Sequence, residues 1–437
     1  MQLPPLAPDT MFNDLLQDLP PEIEQLAREL KAFMRARKIK TPAQLFRMVF
    51  LYCGLDTSLR DVAGEMTLRG ERITDSAVSE RLAACGPWVQ ELLVRLLQPT
   101  AIPPLPEGWR LLVIDGSQVQ APGATGTDYR LHVCLNVTRV HFVHVVVTDK
   151  HTGESLAHFP LGPGDLVLAD RHYATAESIV AAVQRQIALV LRMSAQRLPV
   201  FQPDGTRLDI PTAVQGQPCD TLRTWAIRVQ SAQHAQQVDG YVHAYRLHEE
   251  AANRARQRVR QQSAKKGHTP KETTRLLASW VFVFTTVPPQ TWSAQAILAL
   301  YRVRWQVELA IKRWKSLLDV DKLRARAGSP LAALWLSGKL LYAVVVEQRA
   351  YRKLGDSWTR LDGERQATWW RVWKLIKDEV DVCILSVQDR QEAGWGACMQ
   401  VLAERPRHRK LQRLPEEVIA LNHGVYVAAP DEMPRAA

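Results

Sequence analysis

Along the first hundred positions apolar side chains recur every three or four residues, the spacing of a helix with one buried face. "PPEIEQLARELKAFMRARK" (20–38) carries it, and "TPAQLFRMVFLYC" (41–53) adds a start signal, Thr41 as N-cap with Pro42 in the first helical position. Two shorter helical patterns follow, "SLRDVAGEMTL" (58–68) and "DSAVSERLAAC" (75–85), separated by a break at Gly70, with Asp75 read as the second cap. Two short helices about a turn predict a helix-turn-helix that reads DNA; a plain helical bundle fits the same spacing. The proline-rich "QPTAIPPLPEG" (98–108) sets a boundary near residue 105.

Beyond it the period changes to two. "RLLVIDG" (110–116) is an apolar run ending in Asp115, and "YRLHVCLNV" and "VHFVHVVVTD" alternate as antiparallel strands with one covered face do. "DLVLAD" (165–170) is a second buried run ending in Asp170, followed by a helix, "TAESIVAAVQRQ", and a strand, "ALVLRM". Three alternating strands and then a β-α-β unit predict a mixed sheet with helices, an α/β layer fold. From 195 to 285, turn-rich strands and a basic helical segment running from Arg254 to Arg275 read as a mostly β insertion domain, because elements of one core flank it. Helical spacing returns with "YRVRWQVELAIKRWK" (301–315) and "LAALWLSGKLLYAVVVEQRAYRKL" (331–354). It continues through "ATWWRVWKLIKDEV" (367–380) to a basic stretch, "ERPRHRKLQR" (404–413), and a polar tail.

The 437 residues are 46% hydrophobic and 23% charged, the composition of a globular protein, and the net charge of +11 favours an acidic polymer or an anionic surface as partner. No apolar run approaches the 18 or more residues that span a bilayer. "MQLPPLAPDT" has neither a basic region nor an apolar signal core, so the expectation is a cytoplasmic protein, without a membrane, acting on nucleic acid. The six cysteines lack any C-x-x-C pair and read as reduced thiols. His132, His141, His144 and His151 read as cross-strand surface histidines before a zinc site. There is no P-loop and no G-x-G-x-x-G after a strand, hence no sign of nucleotide fuel.

Asp115 and Asp170 each end an apolar strand, and carboxyl ends of sheet strands are where α/β folds place ligands. Each alone is equally a turn former or helix cap. At 100° per residue Tyr301, Arg304, Glu308 and Lys315 fall within roughly 60° of one helix face, where an ordinary i,i+4 ion pair also fits. If the two strands are neighbours and that helix packs on their edge, the three carboxylates form a hard oxygen set for one or two Mg²⁺ or Mn²⁺ ions. Two such ions clamp the attacking and leaving oxygens of a phosphodiester.

Tyr301, Arg304, Glu308 and Lys315 match the Y-x2-R-x3-E-x6-K signature of bacterial insertion-sequence transposases of the DDE type. "VIDGS" resembles that family's first-aspartate strand. "LADRHYAT" resembles its D-R-G-Y or D-R-G-F motif, with His172 where glycine is common. The long gap from Asp170 to Glu308 is similar too, and the resemblance spans about residues 40 to 400. It implies a ribonuclease H-like α/β core in which Asp115, Asp170 and Glu308 bind two Mg²⁺ ions per site, Mn²⁺ substituting. It implies strand cleavage at the element's ends, a hairpin intermediate, and transfer of the freed 3′-hydroxyl. Tyr301, Arg304 and Lys315 then hold phosphates beside the scissile bond, with Arg171 and Lys312 on the same DNA-binding surface. Trp280, in "LLASWVFVFTT", stands where such transposases place a tryptophan that stacks on a flipped base; core packing is its other reading.

The implied partners are double-stranded DNA, as terminal inverted repeats and as target, and a second copy of the chain. The corresponding division is a helical DNA-binding domain (1–105), a core in two parts (106–194 and 286–327), the insertion (195–285), and a helical C-terminal domain (328–437) as candidate dimer interface. A metal-dependent nuclease on the same fold and an inactive DNA-binding repressor are the alternatives.

Overall fold

The computed structural model describes residues 10–68, 73–97, 105, 108–138, 140–231, 236–354, 366–385 and 403–404. The Gly70 break, most of the proline-rich linker, the basic stretch beyond Glu404 and the tail lie outside them.

Six helices come first: α1 (Thr10–Leu16), α2 (Ile23–Glu29), α3 (Pro42–Cys53), α4 (Leu59–Leu68), α5 (Asp75–Ala83) and α6 (Gly86–Leu97). Thr41 caps α3 as read, its hydroxyl accepting from the Gln44 N–H at 3.1 Å. The second cap differs. Thr74 caps α5, accepting from the Ala77 N–H at 3.3 Å, while Asp75 is the first helical residue, where its charge meets the positive end of the helix. Helices α4 and α5 pack on each other, as a helix-turn-helix pair would.

Eight strands then form one sheet: β1 (Arg110–Val119), β2 (Tyr129–Asn136), β3 (His141–Asp149), β4 (Asp165–Ala169), β5 (Ala188–Arg192), β6 (Leu222–Ser231), β7 (Gln236–Arg246) and β8 (Trp280–Thr285). Their order is β3-β2-β1-β4-β5-β8-β7-β6. Strands β1, β4 and β5 are parallel, and every other pairing is antiparallel. The meander β1-β2-β3, followed by β4, α7 (Ala176–Gln184) and β5, is the ribonuclease H-like arrangement expected.

Within the segment read as a mostly β insertion, β6 and β7 join this same sheet through β8. The reason lies in "WVFVFT": four of its last five residues are fully covered, so β8 has to be an interior strand, and it sits between β5 and β7. The region also contributes α8 (Ile210–Val214), α9 (Glu249–Lys265) and α10 (Glu272–Ala278).

After β8 come α11 (Ala294–Arg302), α12 (Trp305–Leu318), α13 (Pro330–Leu354) and α14 (Trp369–Leu385). Helix α13 packs on α3, α5, α6 and α14, so the first and last helical regions share one core. By length and composition α13 is apolar enough to cross a membrane, which corrects the expectation that no stretch qualifies. Lys339, Glu347 and Arg349 interrupt its sequence pattern, yet all three are buried, and 78% of its apolar window lies inside the protein as in a core helix. Helices α6, α11, α12 and α13 cover one face of the sheet; α7 covers the other, over a second core.

Candidate active site

The strand pair β1–β4 positions the two aspartates. Arg110 lies beside Asp165 and Val113 beside Leu168, so the register continued by two residues sets Asp115 beside Asp170, on strands about 4.8 Å apart. An ion pair locks that register at the far end: Arg110 Nη2 meets the buried Asp165 Oδ1 at 2.6 Å. Side chains alternate along both strands. Leu111, Val113, Leu166 and Leu168 enter the core beneath the helices, and Leu112, Ile114, Val167 and Ala169 enter the core on the other face. By this alternation Asp115 and Asp170 face the helices, on the side where α12 packs against β1.

Asp170 directly follows β4, as read. Asp115 does not end its strand: β1 continues to Val119, paired with β2 throughout. Only the β4 side of its ladder stops, at Val113, and Asp115 stands where the sheet loses one neighbour.

The signature stretch is two helices where one was expected. Helix α11 ends at Arg302 and α12 begins at Trp305, with the Arg304 N–H bonded to the Tyr301 carbonyl and the Val307 N–H to the Arg304 carbonyl, both three residues back. Val303 and Arg304 keep right-handed helical backbone, which is why the spacing still works. The Arg304 guanidinium pairs with Glu308, lies 3.6 Å from Asp115 Oδ2, and sits 5.8 Å from the centre of the Tyr301 ring. Asp115 and Glu308 therefore meet around one cation, each less than one-third exposed.

Burial pushes the Asp115 carboxyl up to about 6. The charges of Glu308 and Asp170 add to that rise, while the Gly116 N–H, donating at 2.9 Å, and Arg304 oppose it. Tyr301 is buried, which raises its phenol, and Arg304, Arg192 and Asp170 are among its charged neighbours. Lys315 is half-buried beside Ser117, Trp314 and Asp321, and Lys312 and Arg171 are exposed.

Glu154 was missed by sequence reasoning. It comes from the loop after β3 and forms, with Asp170 and His172, a group whose ligand atoms all lie within 4.8 Å of one another. The His172 N–H donates to Asp170 Oδ1 at 2.8 Å, and His172 Nδ1 is 2.8 Å from Asp170 Oδ2 and 3.7 Å from Glu154 Oε2. Burial, then the charge of Asp170, raises the Glu154 carboxyl above its ordinary range. The one available signal was Gly116 directly after Asp115: a Cβ there would stand 2.6 Å from Glu154 Oε1.

Two other readings change. Of the four histidines read as surface residues, His132 is fully buried, its Nε2 2.8 Å from Thr148 Oγ1 and its ring 4.4 Å from that of His158, and burial holds its imidazole down at about 4. No three of the four form a metal-binding group among the described residues. Trp280 lies at the start of β8, beyond the carboxyl end of β5, but is only 2% exposed and stacks on Phe282 at 6.2 Å. In this conformation the ring is packed within the core, the other of its two readings. A large aromatic heading an apolar strand gains more from burial than from standing in water.

The donor set suits a divalent cation. Asp115 feels the charges of Glu308 and Asp170, and Glu154 that of Asp170, and a small dication held by such hard oxygens would relieve this repulsion.

A profile of the transposase DDE domain matches residues 107–344. The transposase of insertion sequence element IS421 from Escherichia coli is 28% identical over 335 residues, 75% of this chain and 90% of its own length. The transposase of IS231C from Bacillus thuringiensis subsp. berliner is 23% identical over 224 residues, 45% of this chain and 46% of its own length. A solved piggyBac transposase synaptic complex with hairpin DNA aligns over 92% of this chain and 85% of its own, with 8% identity and a TM-score of 0.41, an overlap too slight to support an argument. The transposase DDE domain implies use of a divalent metal, and the group of Glu154, Asp170 and His172 is a candidate acidic cluster for one. With more than half of its length matched to that domain, this chain belongs to the transposase DDE domain family and is a DNA transposase.

Proposed function

We propose that this transposase cuts DNA at the terminal inverted repeats of its element and joins the freed 3′-hydroxyls to target DNA, with Asp115, Asp170 and Glu308 as ligands of two Mg²⁺ ions for which Mn²⁺ substitutes. What carries the reading is that Asp115 and Glu308 meet about Arg304 while the β1–β4 register sets Asp170 beside Asp115. When bound, such ions lower the pKa of water and spread the charge of the phosphate under attack. Asp115 and Asp170 are held by rigid neighbouring strands, and Glu308 by a packed helix, so the three carboxylates need little rearrangement.

In cleavage a water oxygen bonds to phosphorus as the bond to the 3′-oxygen breaks. In hairpin formation and in joining, the 3′-oxygen bonds to a new phosphorus as another ester bond breaks. Cleavage hydrolyses a phosphodiester, and hairpin formation and joining each exchange one phosphodiester for another, in keeping with a sequence that has no nucleotide-fuel motif. Arg304, Tyr301 and Lys315 neighbour the phosphates, with the exposed Lys312 and Arg171 along the approach. Residues 1–105 read the end sequence through α4 and α5, and two copies pair two ends through the region after 328.

The test is Asp115→Asn, Asp170→Asn and Glu308→Gln, each keeping shape while removing charge. Each is expected to abolish cleavage of end DNA in Mg²⁺ and Mn²⁺ while end binding stays within a few-fold. Full cleavage by any one of them overturns its assignment.

A further inference from the structure

Glu154 sits too deliberately to be a passing surface acid. Its loop is tied down on both sides: Asp149 Oδ1 accepts from the N–H groups of His151 and Thr152, both at 2.8 Å, and His158 Nε2 lies 2.8 Å from the Gly153 carbonyl. His144 Nε2 in turn lies 3.2 Å from the His158 carbonyl. The carboxylate so placed lies over Gly116, in space a Cβ would fill, and within 4.8 Å of the ligand atoms of Asp170 and His172.

A second, independent feature points into the same place. Tyr173 is 1% exposed, its hydroxyl has no hydrogen-bond partner, and its charged neighbours are the carboxylates of Glu154, Asp115 and Asp170. A buried donor without a partner is unfavourable, and Glu154 lies close enough to Asp170 for their charges to repel, with His172 and Arg130 offsetting only part of the rise. Both costs are relieved by a hydrated cation, whose water accepts from the phenol while its charge offsets the acids.

We propose that Glu154 is a fourth carboxylate of the metal site, holding a divalent cation together with Asp170, with Tyr173 positioning a water beside it. The proposal rests on the reading of Asp170 as a metal ligand. Glycine at 116 is then required by the ligand above it, and Gly116→Ala should act as a mild Glu154 variant.

The test is direct Mn²⁺ binding to the full chain without DNA, read by electron paramagnetic resonance. Glu154→Gln is compared with Asp170→Asn, Gly116→Ala and the remote control Glu250→Gln, and circular dichroism checks the fold of each. Loss of a ligand is expected to weaken Mn²⁺ binding at least about tenfold, and outer-shell changes alone reach 10–100-fold. Glu154→Gln and Gly116→Ala should both weaken it, with Glu250→Gln unchanged. Should either variant lose its fold, Fe²⁺-directed hydroxyl-radical cutting of the wild-type backbone decides the matter. Cuts around 154 as well as 115 and 170 support the proposal, and their absence at 154 overturns it. Weakening by Asp170→Asn without weakening by a folded Glu154→Gln overturns the role of Glu154 and leaves the transposase site intact. Unchanged binding in Asp170→Asn removes the metal assignment itself.

Discussion

Removing Asp56 should unseat the helical body, and the structure indicates by how much. Lys339, in the middle of α13 and 1% exposed, reaches Asp56 Oδ2 at 2.6 Å and donates also to the Gly54 carbonyl at 3.0 Å. Asp56 further accepts from Trp335 Nε1 at 3.2 Å and has Arg324 at 3.5 Å. At 2.6 Å the gross Coulomb attraction is about 6 kcal/mol for an effective dielectric constant near 20. Desolvation offsets most of that in the intact pair, but breaking a buried pair leaves a bare charge and costs about 3–5 kcal/mol. Asp56→Ala should add about 1 kcal/mol more, because Asp56 has φ of 57°, a left-handed conformation that aspartate and asparagine tolerate better than alanine.

Asp56→Asn keeps the backbone preference and the acceptor and isolates the charge, at about 2–3 kcal/mol, the range of a hydrogen bond to a charged group. The assay is urea unfolding followed by tryptophan fluorescence, with Lys339→Met and the double variant closing a cycle. The double variant should be less destabilised than the sum of the singles by about 2 kcal/mol. Burial already lowers the Lys339 pKa, and without Asp56 it falls further. A lysine with a lowered pKa gives up its proton at lower pH in the folded state than in the unfolded one, so its contribution to stability rises with pH up to the ordinary 10.5. The Asp56→Ala deficit should therefore narrow as pH rises towards 10.5. A cost under about 1 kcal/mol, strict additivity, or a deficit independent of pH would refute the reasoning.

Lys315→Ala should reduce the slope of log K against log salt for end DNA by about one, and an unchanged slope would remove Lys315 from the phosphates. Burial pushes the Glu347 carboxyl up to about 8, so it is protonated when folded and ionised when unfolded between 4.5 and about 8. Its contribution to stability should be lost as pH rises through that window, and Glu347→Gln should flatten the dependence; a melting profile equally steep in the variant contradicts it. Trp280→Ala should cost about 3–5 kcal/mol with nicking and hairpin formation falling together. A stable variant defective only in hairpin formation would restore the stacking role.

How far the sequence reached can be followed residue by residue. Period two and period three-to-four patterns are local, and they were enough for the strands bearing Asp115 and Asp170, the cap at Thr41, and the order of meander and crossover. The Tyr301–Lys315 spacing located the right side chains even though the helix breaks at 303–304, because a tight right-handed turn preserves which residues share a face. What tertiary structure decided was whatever depends on a distant partner. Glu154 lies in an unremarkable loop and gains meaning only once β1 and β4 pair and Gly116 comes to rest beneath it. Trp280 could be read as core or as platform until β8 was placed between β5 and β7. Lys339 interrupts the apolar pattern of α13, and its partner, Asp56, is 283 residues away. Local spacing follows from backbone geometry within a few residues, whereas burial and charge pairing follow from packing between elements, which one-dimensional order does not record.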